Sequence, residues 1–154
     1  MNNDILPQKE SVDKGSLIES RGNRQELYFS LSLDLYNDAN YPARLSQLSA
    51  AFPASEWEII EPARANWTPE QWRQAWSGIR DRLTALAVWP RSEDQSIGYG
   101  CLIEIQDVQE RGIPVYVLTD AGTLRPLKRL NVTPGIDRKP SHWHRAAIVE
   151  AEEG

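Results

Sequence analysis

The feature that most constrains the fold is a run of apolar residues, TALAVWP at positions 84–90, between two segments with helical spacing. Such a run without polar alternation is typical of a strand that is covered on both faces. Before it, a capping-box pattern begins at Thr68 and predicts a helix that extends to about residue 82. After it, residues 100–111 have helical spacing, and a second apolar run, IPVYVL, follows at 113–118. The order strand, helix, strand with short connections predicts parallel strands joined by crossover helices.

The remaining segments extend the same pattern. Strands are predicted at 26–33 and 56–62, a helix at 43–52, a less regular fifth strand within 123–133, and a last helix at 142–153. We therefore expect a single α/β domain over residues 25–154, with a three-layer, doubly wound, flavodoxin-like fold around a mostly parallel sheet of four to five strands. Residues 1–24 are polar and lack apolar periodicity, which predicts a disordered or extended arm.

Charge and composition exclude several classes of function. A net charge of −5 argues against a binder of nucleic-acid polymers, which would present a basic face. No apolar run approaches the ~20 residues that span a bilayer, so we expect no membrane association. Cys101 is the single cysteine, which favours a cytoplasmic location and a small buried side chain over a nucleophile. His142 and His144 diverge on a helix, and we expect neither a metal nor another cofactor.

Glu104 is the residue whose position most requires an explanation. It lies beside the apolar stripe of the predicted helix 100–111, near the end that faces the carboxyl ends of parallel strands, where ligands bind in such sheets. Amide dipoles there favour an ionised carboxylate, and Gly98 and Gly100 permit close approach of a ligand. Glu104 is either a solvated residue that interacts with the helix dipole or a nucleophile that faces a pocket.

The segment around Glu104 resembles the nucleoside 2-deoxyribosyltransferase superfamily, which includes related nucleotide N-glycoside hydrolases. The resemblance consists of a buried strand, LAVWP, an acidic glycine-containing loop, SEDQSIGYG, then Glu104, and RGIPVYVL. SGIRDRLTALAVWP resembles the helix-to-strand passage before that loop, and ELYFS resembles the opening strand of the family. Together these segments cover residues 26–118.

The resemblance implies a role for each matching residue. Glu104 would be the nucleophile that attacks the anomeric carbon, and Asp94 would assist the departing base. Tyr28 would contact the sugar or orient Glu104. Further substrate contacts are implied at Ser96, Gly98 and Gly100, which would hold the 5′ end of the sugar. The chain departs from the family in lacking an acid near Ala75, and we expect Asp34 to supply that carboxylate.

Aromatic residues near the same edge offer a surface for a nucleobase. Trp89, at the end of the predicted strand 84–90, is the candidate for stacking on a base, which is worth ~1 to 3 kcal/mol. Trp72 and Trp76 lie on one stripe of their predicted helix. They either pack in the core or contribute to this surface for a base.

The resulting hypothesis is an enzyme that cleaves N-glycosidic bonds and transfers deoxyribose between nucleobases through a covalent glycosyl-Glu104 intermediate. Its partners would be a nucleoside or nucleotide and a free nucleobase, and the family implies a homo-oligomer. Three alternatives stay open at this point. These are hydrolysis of nucleoside 5′-monophosphates, NAD cleavage by an enzyme resembling TIR domains, and a non-catalytic nucleotide-binding domain.

Overall fold

The computed structural model describes residues 24–134 and 145–153. The strands are β1 (Gln25–Leu31), β2 (Trp57–Ile60), β3 (Ala85–Trp89), β4 (Ser96–Ile97), β5 (Val115–Leu118), β6 (Leu124–Pro134) and β7 (Arg145–Ala151). The helices are α1 (Tyr41–Ala51), α2 (Pro62–Ala65), α3 (Pro69–Arg80) and α4 (Tyr99–Glu110), and a 3₁₀ turn (Leu33–Leu35) follows β1. The predicted helices at 43–52, 69–82 and 100–111 are therefore confirmed within two residues at each end.

The chain divides into two compact units. Among the described residues, the smaller unit comprises 24–25 and 52–58, where Phe52 packs edge-on against Trp57 with ring centroids 4.8 Å apart. The larger unit comprises described residues 26–51, 59–134 and 145–153. Every side chain of the candidate site belongs to the larger unit.

The described strands form one mixed sheet of seven strands in the order β2-β1-β3-β5-β6-β7-β4. β1 pairs with β3, and β3 with β5, in parallel. From β5 onward every pairing is antiparallel, through β6 and β7 to the short edge strand β4. The predicted mostly parallel, flavodoxin-like sheet of four to five strands is therefore wrong, although its parallel centre is present.

The error arises mainly in the last third of the chain. Residues 145–151, which were predicted to be helical, form β7 and pair with both β6 and β4. The alanines and glutamate of RAAIVEA favour a helix in isolation, but a strand between two neighbours satisfies its backbone on both sides. Ser96 and Ile97, predicted to lie in a loop, form β4. Residues 1–23 of the predicted arm, together with His142 and His144, lie outside the described residues.

One face of the parallel strands carries the core on which the candidate site is built. Tyr28 of β1, Leu86 and Val88 of β3 and Val117 of β5 share this face and pack with side chains of α3 and α4. Because side chains alternate along a strand, Phe29 points to the opposite face.

Two local sequence signals fix the helices that cover this core. The capping box at the start of α3 is confirmed, since Thr68 Oγ1 accepts from Gln71 N at 3.1 Å and Gln71 Oε1 accepts from Thr68 N at 2.9 Å. Beyond α4, Gly112 has a φ of +72°, a left-handed conformation that favours glycine where a helix ends. The capping box and Gly112 therefore determine where α3 starts and where α4 stops.

Candidate active site

The Glu104 carboxylate lies inside the protein and is held by three hydrogen-bond donors. The residue is 6% exposed, in the second turn of α4. Tyr28 OH donates to Oε2 at 2.5 Å, Trp72 Nε1 donates to the same oxygen at 2.8 Å, and Ser30 Oγ donates to Oε1 at 2.6 Å. The carboxylate is therefore oriented by β1 on one side and by α3 on another.

The positions of the three donors follow from the periods of their elements. Tyr28 and Ser30 are two residues apart on β1, so both point to the face that α4 covers. Trp72 and Trp76 are one turn apart on α3, and their rings stack at 6.0 Å with an interplanar angle of 14°. Tyr28 packs edge-on against Trp76 with ring centroids 4.9 Å apart. The two indoles and the phenol thus form one rigid aromatic wall around the carboxylate.

Burial raises the pKa of Glu104 to about 7, because the charged form loses its hydration. The hydrogen bonds from Ser30, Tyr28 and Trp72 act in the opposite direction, since each stabilises the carboxylate. The charge of Asp107, one turn further along α4, adds a smaller upward shift. The Glu104 carboxyl group is therefore about half ionised at neutral pH, as a group that acts as a nucleophile or base near pH 7 requires.

Asp107 is itself fixed by the same helix pair. Trp76 Nε1 donates to Asp107 Oδ2 at 2.9 Å, and Arg80 Nη1 donates to the same oxygen at 3.2 Å. Each of the two tryptophans of α3 thus donates its N–H to one carboxylate of α4. These two bonds fix the register between the helices at the site.

A tyrosine and a cysteine lie within electrostatic reach of Glu104. Tyr36 is half-buried just after the 3₁₀ turn, and its pKa is raised by burial and then by the Glu104 charge, so its phenol keeps its proton. Cys101 is buried with Sγ 3.9 Å from Ser32 Oγ, and burial together with Glu104 raises its pKa to about 12. A thiol with that pKa is a poor nucleophile at neutral pH. Tyr36 is the more suitable of the two for contact with a ligand.

A second polar cluster lies beside the first at the ends of β1 and β3. The Arg91 side chain is 5% exposed and forms an ion pair with Asp34, whose side chain is 45% exposed. Arg91 Nη2 donates to Asp34 Oδ1 and Arg91 Nε to Oδ2, both at 3.0 Å, while Nη1 donates to Ser96 Oγ at 3.1 Å. Ser32 lies between the clusters, because its Oγ accepts from Gly98 N at 2.9 Å and lies close to Cys101.

The structure brings together some of the predicted site residues and separates others. Glu104 and Tyr28 are in direct contact, and Asp34 and Ser96 meet through Arg91. Asp94 is exposed, with Oδ1 accepting from Ser96 N at 3.0 Å, and it is not among the hydrogen-bond partners of Glu104 in the described chain. The prediction that Asp94 works beside Glu104 therefore has no hydrogen bond to support it.

Trp89 differs from its predicted role as a surface for a base. It is 2% exposed and points to the face opposite Glu104, where its ring lies 6.5 Å from that of Phe29. The Arg44 guanidinium also lies over the Trp89 ring, 5.7 Å from its centroid. Strand alternation explains the difference, because Trp89 is in register with Leu31 and not with Ser30.

The two glycines also differ from expectation. Gly98 is the N-cap of α4 with a φ of −78°, and its N–H is used by Ser32. Gly100 lies within α4, and a Cβ added to it would meet no atom within 4 Å. Gly98 therefore has a φ that any residue can adopt, and Gly100 leaves room for a side chain within the protein.

The sequence did not predict that Ser30 and Trp72 donate hydrogen bonds to Glu104, or that Arg91 binds Asp34. Ser30 was detectable, because it follows Tyr28 by two residues on a predicted strand. Trp72 lies 32 residues before Glu104, and no local pattern links the two.

Comparison with known proteins adds no relative. No protein-family model, no curated protein and no solved structure matches the chain. Within the described ranges, no helix is both long and apolar enough to cross a bilayer. The same two ranges contain no cluster of three or more His, Cys, Asp or Glu side chains suited to a metal ion. The function must therefore be inferred from the site around Glu104.

Proposed function

We propose that this protein cleaves the N-glycosidic bond of nucleosides and transfers the deoxyribosyl group to a second nucleobase, with Glu104 as the nucleophile. The observation that carries the proposal is the Glu104 carboxylate itself: buried, held by three donors, and with a pKa raised to about 7. A carboxylate that only balanced the helix dipole would be solvated and would not need three donors from other elements.

The chemistry requires a carboxylate next to the anomeric carbon. Cleavage of a glycosidic C–N bond passes through an oxocarbenium-like state, which an adjacent carboxylate stabilises and then traps as an ester. Partial desolvation makes Glu104 more reactive than a solvated glutamate, because less hydration must be removed before attack. With its pKa raised to about 7, about half of Glu104 is still in the ionised, nucleophilic form under neutral conditions.

The hydrogen bonds assign the attacking oxygen. A carboxylate oxygen has two lone pairs, and Oε2 uses both, with Tyr28 and Trp72. Oε1 accepts from Ser30 alone within the described chain, which leaves one lone pair for bond formation. We therefore assign Oε1 of Glu104 as the nucleophilic atom and Oε2 as the anchored one.

The reaction balances in two steps. In the first, Oε1 forms a bond to C1′, the C1′–N bond breaks, and the departing base takes the electron pair and a proton from solvent. In the second, a nitrogen of another base attacks C1′, the ester bond breaks and returns its electron pair to Glu104, and the attacking nitrogen releases its proton to solvent. If water takes the place of the second base, the same intermediate gives hydrolysis.

The neighbouring phenols have separate roles in this proposal. Tyr28 keeps its proton because burial and the Glu104 charge raise its pKa, so it acts as a positioning donor throughout. Tyr36 also stays protonated, and we assign it the hydrogen bond to the sugar or to the departing base. Neither tyrosine needs to ionise for turnover.

The direct test is base exchange followed by trapping of the intermediate. The protein is incubated with deoxyinosine and free adenine, and we expect deoxyadenosine and hypoxanthine as products. Mass spectrometry after rapid quenching should show a deoxyribosyl adduct on the peptide that contains Glu104. Glu104→Gln should abolish both signals, whereas the matched control Glu110→Gln, an exposed position on the same helix, should retain them.

Each other outcome identifies a different function. Release of free base without exchange would indicate a hydrolase, and release of nicotinamide from NAD would indicate an NAD-cleaving enzyme. Binding of nucleotides without turnover and without an adduct would contradict catalysis by Glu104.

A further inference from the structure

Ser30, Glu104 and Cys101 form a buried group of three polar side chains that the proposed reaction uses only in part. Ser30 is fully buried on β1, and Glu104 and Cys101 are buried one turn apart on α4. Ser30 Oγ donates to Glu104 Oε1 at 2.6 Å. Burial raises the pKa of the Cys101 thiol to about 12, and a hydrogen bond from Ser30 acts in the opposite direction. The Ser30 hydroxyl therefore has two acceptors within reach, Oε1 and the thiol sulfur.

The single proton of the Ser30 hydroxyl cannot be given fully to both acceptors at once. An ionised Oε1 is the stronger acceptor, because a hydrogen bond to a charged oxygen is about twice as strong as one between neutral groups. A thiol sulfur is a weak acceptor. When Glu104 is ionised, the Ser30 hydroxyl is therefore directed to Oε1, in agreement with the distance of 2.6 Å between the two oxygens.

Loss of the charge on Oε1 removes this preference. Tyr28 and Trp72 use both lone pairs of Oε2, so a proton that binds Glu104 is placed on Oε1. The Oε1 hydroxyl then donates to Ser30 Oγ, and the serine proton is free to turn to Cys101 Sγ. An ester at Oε1 has a similar consequence, because the oxygen has lost its charge and with it most of its strength as an acceptor.

We propose that Ser30 is a relay between Glu104 and Cys101: its hydroxyl donates to Oε1 when Glu104 is ionised, and to Cys101 Sγ when Oε1 carries a proton or a sugar. Its role in catalysis rests on the proposed function. When the C1′–Oε1 bond breaks, the electron pair of that bond returns to Oε1. The Ser30 hydroxyl then turns back to Oε1 and stabilises the new charge, so Ser30 promotes breakdown of the ester intermediate.

Other charged and titratable groups act on Glu104 and Cys101 from the surrounding elements. These are Tyr28 of β1, Tyr36 after the 3₁₀ turn, Asp107 of α4 and Arg91 after β3. α3 contributes the neutral indole of Trp72. Burial raises the pKa of Tyr28, Tyr36 and Cys101 far above 7. We therefore assign a change at the thiol with a midpoint near 7 to Glu104, whose pKa burial raises to about 7.

The test measures the S–H stretching band of Cys101, which can be assigned directly because the chain has a single cysteine. Infrared spectra of the whole protein are recorded from pH 5 to pH 9. In wild type the band should shift with a midpoint near 7. The shift should be lost in Ser30→Ala. In Glu104→Gln the band should stay at the low-pH position of wild type, because the amide donates to Ser30 as protonated Oε1 does.

Thr84→Val is the matched control, because it removes a half-buried hydroxyl that also contacts β1, where it accepts from Glu26 N at 3.4 Å. Its band should shift as in wild type. A shift that persists in Ser30→Ala would overturn the proposal, since the thiol would then sense the Glu104 charge through space. The comparison of wild type with Glu104→Gln needs no Ser30 variant, and bands at the same position at pH 9 would also overturn it.

Rapid-quench kinetics of the proposed base exchange test the catalytic role. At a pH above the Glu104 pKa of each protein, Ser30→Ala should slow the second step about 10-fold relative to the first, because the stronger bond to the charged oxygen is lost. The glycosyl adduct on Glu104 should then accumulate, whereas in Thr84→Val it should not. Equal slowing of both steps in Ser30→Ala would overturn this role.

The two measurements separate the relay from the proposed function. If the thiol band follows Glu104 as expected but wild type exchanges no base, the proposed function fails and the relay stands. If exchange occurs but the thiol band does not follow Glu104, the proposed function stands and the relay fails.

Discussion

Replacing Glu104 by glutamine should change how the stability of the protein depends on pH. Glutamine has nearly the same shape, and its carbonyl oxygen can take the place of Oε2 and accept from Tyr28 and Trp72. Its amide nitrogen then takes the place of Oε1 and donates to the Ser30 hydroxyl, which can accept as well as donate. All three hydrogen bonds survive in this arrangement, so the substitution removes a buried charge without removing a contact.

The magnitude follows from the pKa of Glu104, which is raised from 4.5 to about 7 in the folded protein. Because the folded pKa lies above the unfolded one, the contribution to stability is fully present below pH 4.5 and is lost as the pH rises through 7. A shift from 4.5 to about 7, at about 1.4 kcal/mol per pH unit, corresponds to about 3 kcal/mol. The wild-type protein should lose this free energy of unfolding between pH 4.5 and pH 8, whereas the glutamine variant should not.

Urea unfolding followed by tryptophan fluorescence at pH 4.5, 6, 7 and 8 measures this difference. The stability of Glu104→Gln relative to wild type should rise by about 3 kcal/mol across the series, or roughly 6 to 12 °C in Tm for a chain of this size. Glu110→Gln should follow the wild-type curve at every pH. If the free energies of unfolding of Glu104→Gln and wild type differ by the same amount at every pH from 4.5 to 8, Glu104 is ionised throughout. The conclusion that burial raises the pKa of Glu104 is then refuted.

Three further predictions test the surroundings of the site. Tyr28→Phe removes a hydrogen bond that lowers the pKa of Glu104, so the rising limb of the pH–rate profile should move to higher pH. The value of kcat/KM should also fall about 10- to 100-fold. An unchanged profile would contradict the assigned bond. Trp89→Phe should leave turnover within about 2-fold of wild type. It should lower the free energy of unfolding in urea by about 1 to 2 kcal/mol through lost packing alone, because Trp89 Nε1 has no hydrogen-bond partner within the described ranges. A large loss of turnover would instead support base stacking on Trp89. Thr68→Ala should cost about 1 kcal/mol through loss of the α3 cap, measured by the same unfolding assay, and a cost near zero would show that packing of Trp72 alone fixes the helix.

Local patterns were sufficient for α1, α3, α4 and the parallel strands of the fold, but not for α2. The capping box at Thr68, the apolar run at 84–90 and the glycine at 112 each act within a few residues, so their consequences can be read along the chain. The antiparallel half could not be read in this way. β7 has a helix-favouring composition, and it is a strand because β6 and β4 lie on either side of it.

The site shows the same division between local and distant causes. The position of Glu104 beside the apolar stripe of α4 was visible from helical periodicity, whereas the contact with Tyr28 was implied only by the family resemblance. Periodicity could not show that Trp72, on another helix, donates to Glu104. Nor could it show that Trp76 and Arg80, on that other helix, bind Asp107. Contacts of this kind depend on how two helices pack and not on the sequence of either one.

The short edge strand β4 has a consequence for the order in which the protein assembles. Ser96 and Ile97 pair with Ile148 and Ala147, some fifty residues later in the chain, and α4 begins two residues after that pairing. Contacts between such distant residues form slowly, because the entropy cost of closing a long loop comes before the contacts can stabilise the chain. During refolding, the helix that carries Glu104 would therefore reach its final register only after the last strand docks, and the candidate site would be completed later than most of the secondary structure.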